Sequence, residues 1–211
     1  MGKITNILIV SSIAASIYSW FYGADLAFSL DALTSKNYIL LITAIFAHAS
    51  ITHLAGNMVF LYIFGGIVER DLGAQKLLFA FFAGGILSFL LSIPFYPGAQ
   101  MLGASAAIFT LSALAMLTKP LRFSLLLLAP VGVAALLYFL YNVVAIAQGV
   151  VSNTAFVSHI IGFLIGIALG KFWIYDWKKS LETAIVALII YVVLINAVLY
   201  YLTGYIFSFG F

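Results

Sequence analysis

The few charges of this chain sit almost entirely between long apolar runs, and that pattern restricts what it can fold into. Only 7% of its 211 residues are charged and 65% are hydrophobic, against roughly 25% and 45–50% in an average soluble domain. A bilayer accepts such a chain, because roughly 20 consecutive apolar residues form a helix that satisfies its own backbone hydrogen bonds. The sequence therefore predicts an all-α polytopic membrane protein with helices over residues 4–22, 53–68, 76–93, 105–118, 121–147, 156–174 and 184–207. The first run follows Lys3 as a signal peptide would. Its uncharged stretch is longer than an h-region, however, and ends in the aromatic cluster Tyr18, Trp20, Phe21 and Tyr22, so it reads as a retained helix anchored at an interface.

The basic residues set an expected orientation. With a cytoplasmic N-terminus, Lys3, Arg70, Lys76, Lys119, Arg122, Lys171, Lys178 and Lys179 fall inside and only Lys36 falls outside. An odd number of helices then leaves the C-terminus outside, and the expected location is the plasma membrane of a prokaryote. The same residues are scattered and form no basic run, which argues against a nucleic-acid partner and for the lipid bilayer. The absence of cysteine excludes disulfides, thiolate metal sites and a cysteine nucleophile.

Two regions break the series of spans. The stretch 23–52 is long and holds an apolar run, 38–47, too short to cross a bilayer, so it reads as an interfacial or partly submerged loop. The fourth helix, bounded by Pro94, Pro97 and Gly98 before it and Lys119–Pro120 after it, is also short. About 14 residues rising roughly 1.5 Å each cover only about 21 Å of a hydrocarbon core about 30 Å thick. Ser105 stands at its sunken outer end.

Polar side chains at membrane depth are costly and each needs a reason. His53 and Asn57 share one helical face by their spacing, His159 lies one turn into the sixth helix, and these three with Ser105 fall near one depth on the outer side. A serine hydroxyl needs an adjacent base to become a nucleophile, and an imidazole suits that task. His159 is the candidate base. The Asn57 amide, His53 and the Ser105 backbone N–H are candidate donors to the oxyanion of an acyl-transfer intermediate, and Gly103 permits close approach beside the serine. No acidic residue lies near this depth, so a Ser–His dyad is the most that these residues provide. The glycines at 162, 166 and 170 read as a close-packing stripe. Asn142, Gln148 and Asn196 read as helix contacts or interface residues, and the three histidines, lacking carboxylates at their level, do not read as a metal site.

Four segments then resemble the rhomboid family of intramembrane serine proteases. His48-Ala-Ser-Ile-Thr-His53-Leu-Ala-Gly-Asn57 resembles the family's H-x4-H-x3-N, and Gly65-Gly66-Ile67-Val68-Glu69-Arg70 resembles the turn closing the second helix. Gly103-Ala-Ser105-Ala106 resembles G-x-S-G, and the segment from His159 through Gly162 to Gly166 resembles H-x2-G-x3-G. The resemblance runs from about Lys36 to Gly170. It implies Ser105 as nucleophile, His159 as general base, His53 and Asn57 as oxyanion donors and His48 as a structural or water-holding neighbour. It also implies transmembrane proteins as substrates, no cofactor, a rhomboid-like core over residues 1–175, and a linker with an extra seventh helix over residues 176–211. Two departures stand out. Ala106 replaces the family's usual second glycine, and its methyl is expected to hold the fourth and sixth helices slightly apart. The Trp-Arg pair that many members carry in the long outer loop has no counterpart at Ile39-Leu40.

Two other functions compete with catalysis. A silent relative that only binds membrane helices would be expected to lack Ser105 or His159. A seven-helix transporter or retinal protein would need a lysine in the seventh helix or carboxylates within the spans, and neither is found in the predicted segments.

Overall fold

The computed structural model describes residues 2–150 and 155–204. Within them, α1 spans Lys3–Tyr22, two short helices α2 (Leu30–Thr34) and α3 (Leu40–Phe46) follow, and α4 spans Ile51–Leu72 with one π turn at Leu61–Gly65. Beyond these come α5 (Ala74–Ser92), α6 (Ser105–Thr118), α7 (Val131–Ala147), α8 (Phe156–Trp173) and α9 (Trp177–Thr203). Among the described residues, α1, α4, α5, α8 and α9 are long and apolar enough to cross a membrane, while α6 and α7 are shorter apolar helices. The chain is thus an all-α polytopic membrane protein, with one small two-stranded hairpin added.

The centre of the bundle is α6. Every residue from Ala106 to Leu117 is buried, as expected of a helix apolar all round. Its nearest neighbour is α8, and glycine makes the approach possible. A methyl at Gly162 would collide with the Ala106 carbonyl and one at Gly166 with the Thr110 carbonyl, while the Thr110 hydroxyl donates to the Gly162 carbonyl at 2.8 Å. At Gly162 and Gly166 the stripe read from the sequence is therefore a backbone-to-backbone seam, while Gly170 makes room for the Leu117 side chain. Ala106 does not open it: the Ala106 carbonyl itself lies against Gly162. On the other flank, Gly132 of α7 lets the Ala184 methyl of α9 seat against it, and Tyr191 of α9 donates to the Leu128 carbonyl at 3.1 Å.

Several predicted boundaries move. The fifth helix begins at Val131 rather than 121, because Pro130 lacks an N–H and would clash with the carbonyl four residues earlier. Residues 121–130 form instead a hairpin of β1 (Phe123–Ser124) and β2 (Ala129–Pro130), with Phe123 opposite Pro130. The seventh helix starts earlier, at Trp177, and its expected end at Phe207 lies outside the described residues. The long stretch after α1 is not a plain loop, since α2 and α3 bury Ala32, Ala44 and Ile45 while Tyr38 and Ile39 stay exposed.

The second helix runs past Val68 and takes in Glu69. Its carboxylate accepts from the Ile4 N–H at 2.9 Å, the Thr5 N–H at 2.8 Å and the Thr5 hydroxyl at 2.6 Å. These are donors of the first turn of α1, which has no cap of its own, so one acidic side chain caps a helix from 65 residues away.

The seam makes a quantitative expectation. Gly166→Val should destabilise the folded protein by roughly 1–3 kcal/mol through overpacking. Gly66→Ala, where an added methyl meets nothing within 4 Å, should be neutral or slightly stabilising by helix propensity. Thermal unfolding in detergent checks both; equal stability of the two variants would mean that α6 and α8 have room to part.

Candidate active site

Ser105 is the first residue of α6, and the segment before it is tied down at every step. Met101 and Phe28 exchange backbone hydrogen bonds of 2.7 and 2.8 Å, and the Gly103 N–H donates to the Ala44 carbonyl of α3 at 2.8 Å. The Ala104 N–H points at His48 Nε2, 3.4 Å away. Gly103 turns with φ +115°, a conformation that side chains disfavour, and a methyl there would come within 2.8 Å of His53 Cε1. Both requirements demand glycine.

His48 is 1% exposed and joins four elements. Its Nδ1 lies 3.1 Å from the Phe46 carbonyl and 3.1 Å from Ser16 Oγ of α1. A carbonyl only accepts, so Nδ1 carries the proton and the Nε2 lone pair faces the Ala104 N–H. Burial holds this imidazole down at about 4, with His53 acting in the same direction and the Phe46 carbonyl opposing. It is neutral at ordinary pH, as the tautomer requires. Trp20 adds a 2.7 Å bond from its indole N–H to the His48 carbonyl, so α1 braces this segment.

Across the seam, His159 Nε2 lies 2.7 Å from Ser105 Oγ. The His159 ring stacks on Phe109 of α6, with centroids 4.6 Å apart and planes 14° from parallel. Its other nitrogen, Nδ1, lies 2.8 Å from Asn142 Oδ1 of α7. His53 and Asn57 occupy successive turns of one face of α4, which Ser50 caps by accepting from the His53 N–H. The His53 ring meets His48 edge to face at 5.0 Å. The Asn57 amide donates one hydrogen to the His53 carbonyl at 2.9 Å, leaving its second hydrogen for another acceptor.

Ser105 meets His159 across the seam, His53 and His48 lie beside Gly103, and Asn57 stands one turn along α4 from His53. Asn142 joins them although the sequence reading put it among helix contacts. An asparagine in mid-helix on an apolar chain is the signal that marked it, but only the rotation of two helices shows what it faces. Chemically, the group is a hydroxyl hydrogen-bonded to an imidazole that is itself hydrogen-bonded behind, at the start of a helix whose first-turn N–H groups precede the first internal bond.

The family model described as Rhomboid domain matches residues 35–176. Rhomboid-like protein 11, chloroplastic, of Arabidopsis thaliana is 40% identical over 79 residues, covering 37% of this chain and 28% of that protein. RHOMBOID-like protein 12, mitochondrial, of the same plant is 41% identical over 58 residues, covering 28% of this chain and 17% of that protein. The matched stretches span under a third of either relative. Both relatives are organellar by name, which overturns the expected placement in a prokaryotic plasma membrane with a cytoplasmic N-terminus. The positive-inside pattern reports which loops share a side; it does not identify the membrane.

One consequence concerns Gly103. Gly103→Ala combines a disfavoured φ with a contact against the His53 ring, and should cost roughly 1–3 kcal/mol of stability. Thermal unfolding of the variant beside wild type measures this, and an unchanged midpoint would show that the segment before Ser105 relaxes freely.

Proposed function

The chain belongs to the rhomboid family, and we propose that it is an intramembrane serine endopeptidase that cleaves transmembrane segments of other membrane proteins. In this reading α1, α4, α5, α6, α7 and α8 form a six-helix core and α9 is an added seventh span. The observation that carries it is the 2.7 Å hydrogen bond between Ser105 Oγ and His159 Nε2. Ser105 Oγ attacks the scissile carbonyl carbon while its proton passes to His159 Nε2. The oxygen of the tetrahedral intermediate accepts from the Ser105 N–H, the free Asn57 amide hydrogen and His53. Collapse breaks the C–N bond, the imidazolium gives its proton to the departing amine, and the acyl group stays on Ser105. Water then repeats the sequence with the same base and releases the acid and the free serine. The neutral donors lost from such an oxyanion site are each worth about 10²–10³ in turnover.

A peptide bond inside a regular helix is shielded and internally bonded, so the substrate segment must unwind first. Unwinding in lipid costs several kcal/mol per unsatisfied group, and glycine or proline in the segment lowers that cost by about 1 or about 3 kcal/mol relative to alanine. The favoured substrates are therefore transmembrane helices weakened by such residues near the cleavage site.

The test uses a model transmembrane substrate carrying Gly and Pro, reconstituted with wild type, Ser105→Ala, His159→Ala and the double variant. Cleavage should vanish in each single variant, and the double variant should be no worse, because nucleophile and base act as one unit. Substantial cleavage by either single variant would sink the assignment.

A further inference from the structure

Resting on the reading of Ser105 and His159 as nucleophile and base, we propose that Asn142 of α7 is a positioning residue that sets the tautomer and ring orientation of His159, making the site a Ser–His–Asn relay built from three helices. The Asn142 amide has one allowed orientation. Its Nδ2 lies 2.7 Å from the Tyr138 carbonyl one turn earlier on α7. A carbonyl oxygen only accepts, so the amide must point its NH₂ there and its Oδ1 toward His159. The reverse assignment would oppose two acceptor oxygens at hydrogen-bond distance. With Oδ1 facing His159 Nδ1 at 2.8 Å, Nδ1 must carry the imidazole proton. Nε2 is then left with its lone pair toward Ser105, and the only group that completes the 2.7 Å contact is the Ser105 hydroxyl proton. Each step leaves one donor for one acceptor, from the α7 backbone to the nucleophile.

The packing makes this arrangement rigid. Asn142 is 2% exposed, so no bulk water competes for Oδ1, and removal of the acceptor would leave a buried N–H unpaired. Tyr138, one turn earlier on the same face of α7, packs against Phe109, the ring on which His159 stacks. One face of α7 thus steadies the base twice, by the amide at its edge and through Phe109 at its face. When the imidazole takes the Ser105 proton, the Oδ1 dipole is already aimed at the Nδ1–H whose positive charge grows. The side-chain hydrogen bonds of Asn142 go to the Tyr138 carbonyl and to His159, so its effect on Ser105 passes through His159.

The alternative is that Asn142 only joins α7 to α8. Two measurements separate the roles: the rate constant for modification of Ser105 by a fluorophosphonate, and kcat and KM on the model transmembrane substrate. The variants are Asn142→Leu, which keeps the volume and removes the acceptor, and Asn142→Asp, which restores an oxygen acceptor. The amplitude of labelling reports how much protein is folded, whereas the rate constant reports the reactivity of the folded site. Asn142→Leu should slow modification and lower kcat about 10- to 100-fold, below the loss of about 10⁴ seen when a triad tautomer is inverted, with KM little changed. Asn142→Asp should recover most of both. If Asn142→Leu lowers only the amplitude, leaving the rate constant at the wild-type value, or if Asn142→Asp reacts as slowly as Asn142→Leu, Asn142 is a helix contact and the proposal is wrong. Failure of the underlying reading looks different: wild type itself would not be labelled, or Ser105→Ala would be labelled equally.

Discussion

The site depends on two helices approaching until their backbones touch. A serine side chain is short, and a histidine on another helix reaches it only if the axes lie unusually close. Between α6 and α8 that distance is available because Gly162 and Gly166 present no side chain to the Ala106 and Thr110 carbonyls. The Thr110 bond to the Gly162 carbonyl then locks the register along the seam. In lipid, where apolar burial does not draw helices together, such van der Waals contact and interhelical hydrogen bonding supply the attraction. The 2.7 Å bond between Ser105 and His159 stands at one end of this contact.

Close packing alone would leave the start of α6 free to fray, as helix ends do. Here the preceding strand of chain is held by Phe28, by Ala44 and by the buried His48 ring, and His48 is in turn held by Ser16 and Trp20 of α1. The far end of α1 is fastened by Glu69. A line of polar contacts therefore runs from α4 through α1 to the residue before the serine. Its buried members, Ser16 and His48, are partnered and so avoid the cost of an unpaired polar group at low dielectric. Glu69 lies far from Ser105, yet it belongs to the same support.

The parts of this arrangement readable in the sequence are those written as local spacing. The histidine-to-asparagine interval on α4, the glycine before Ser105 and the four-residue glycine stripe each express one helical turn or one tight turn, and the fold bears out their geometry. What escaped depends on tertiary placement or on elements too short to show a period. Asn142 finds His159 only through the relative rotation of α7 and α8. Glu69 read as part of the turn closing the second helix, which instead runs on to Leu72, and its partners on α1 lie 64 and 65 residues away; α2 and α3, of five and seven residues, are shorter than the windows in which periodicity is readable. Residues 121–130 were misread because hydropathy scores an apolar run the same whether or not Pro130 lets a helix pass.

The central claim is that His159 makes Ser105, and no other serine of the chain, nucleophilic. Mass mapping after reaction with a fluorophosphonate tests it most directly, since Ser12, Ser16, Ser88, Ser92 and Ser112 are all buried in the same bundle and provide internal controls. The account predicts a single adduct on the peptide containing Ser105 in wild type, and its loss in His159→Ala. Adducts distributed over several serines, or an undiminished Ser105 adduct without the imidazole, would contradict it.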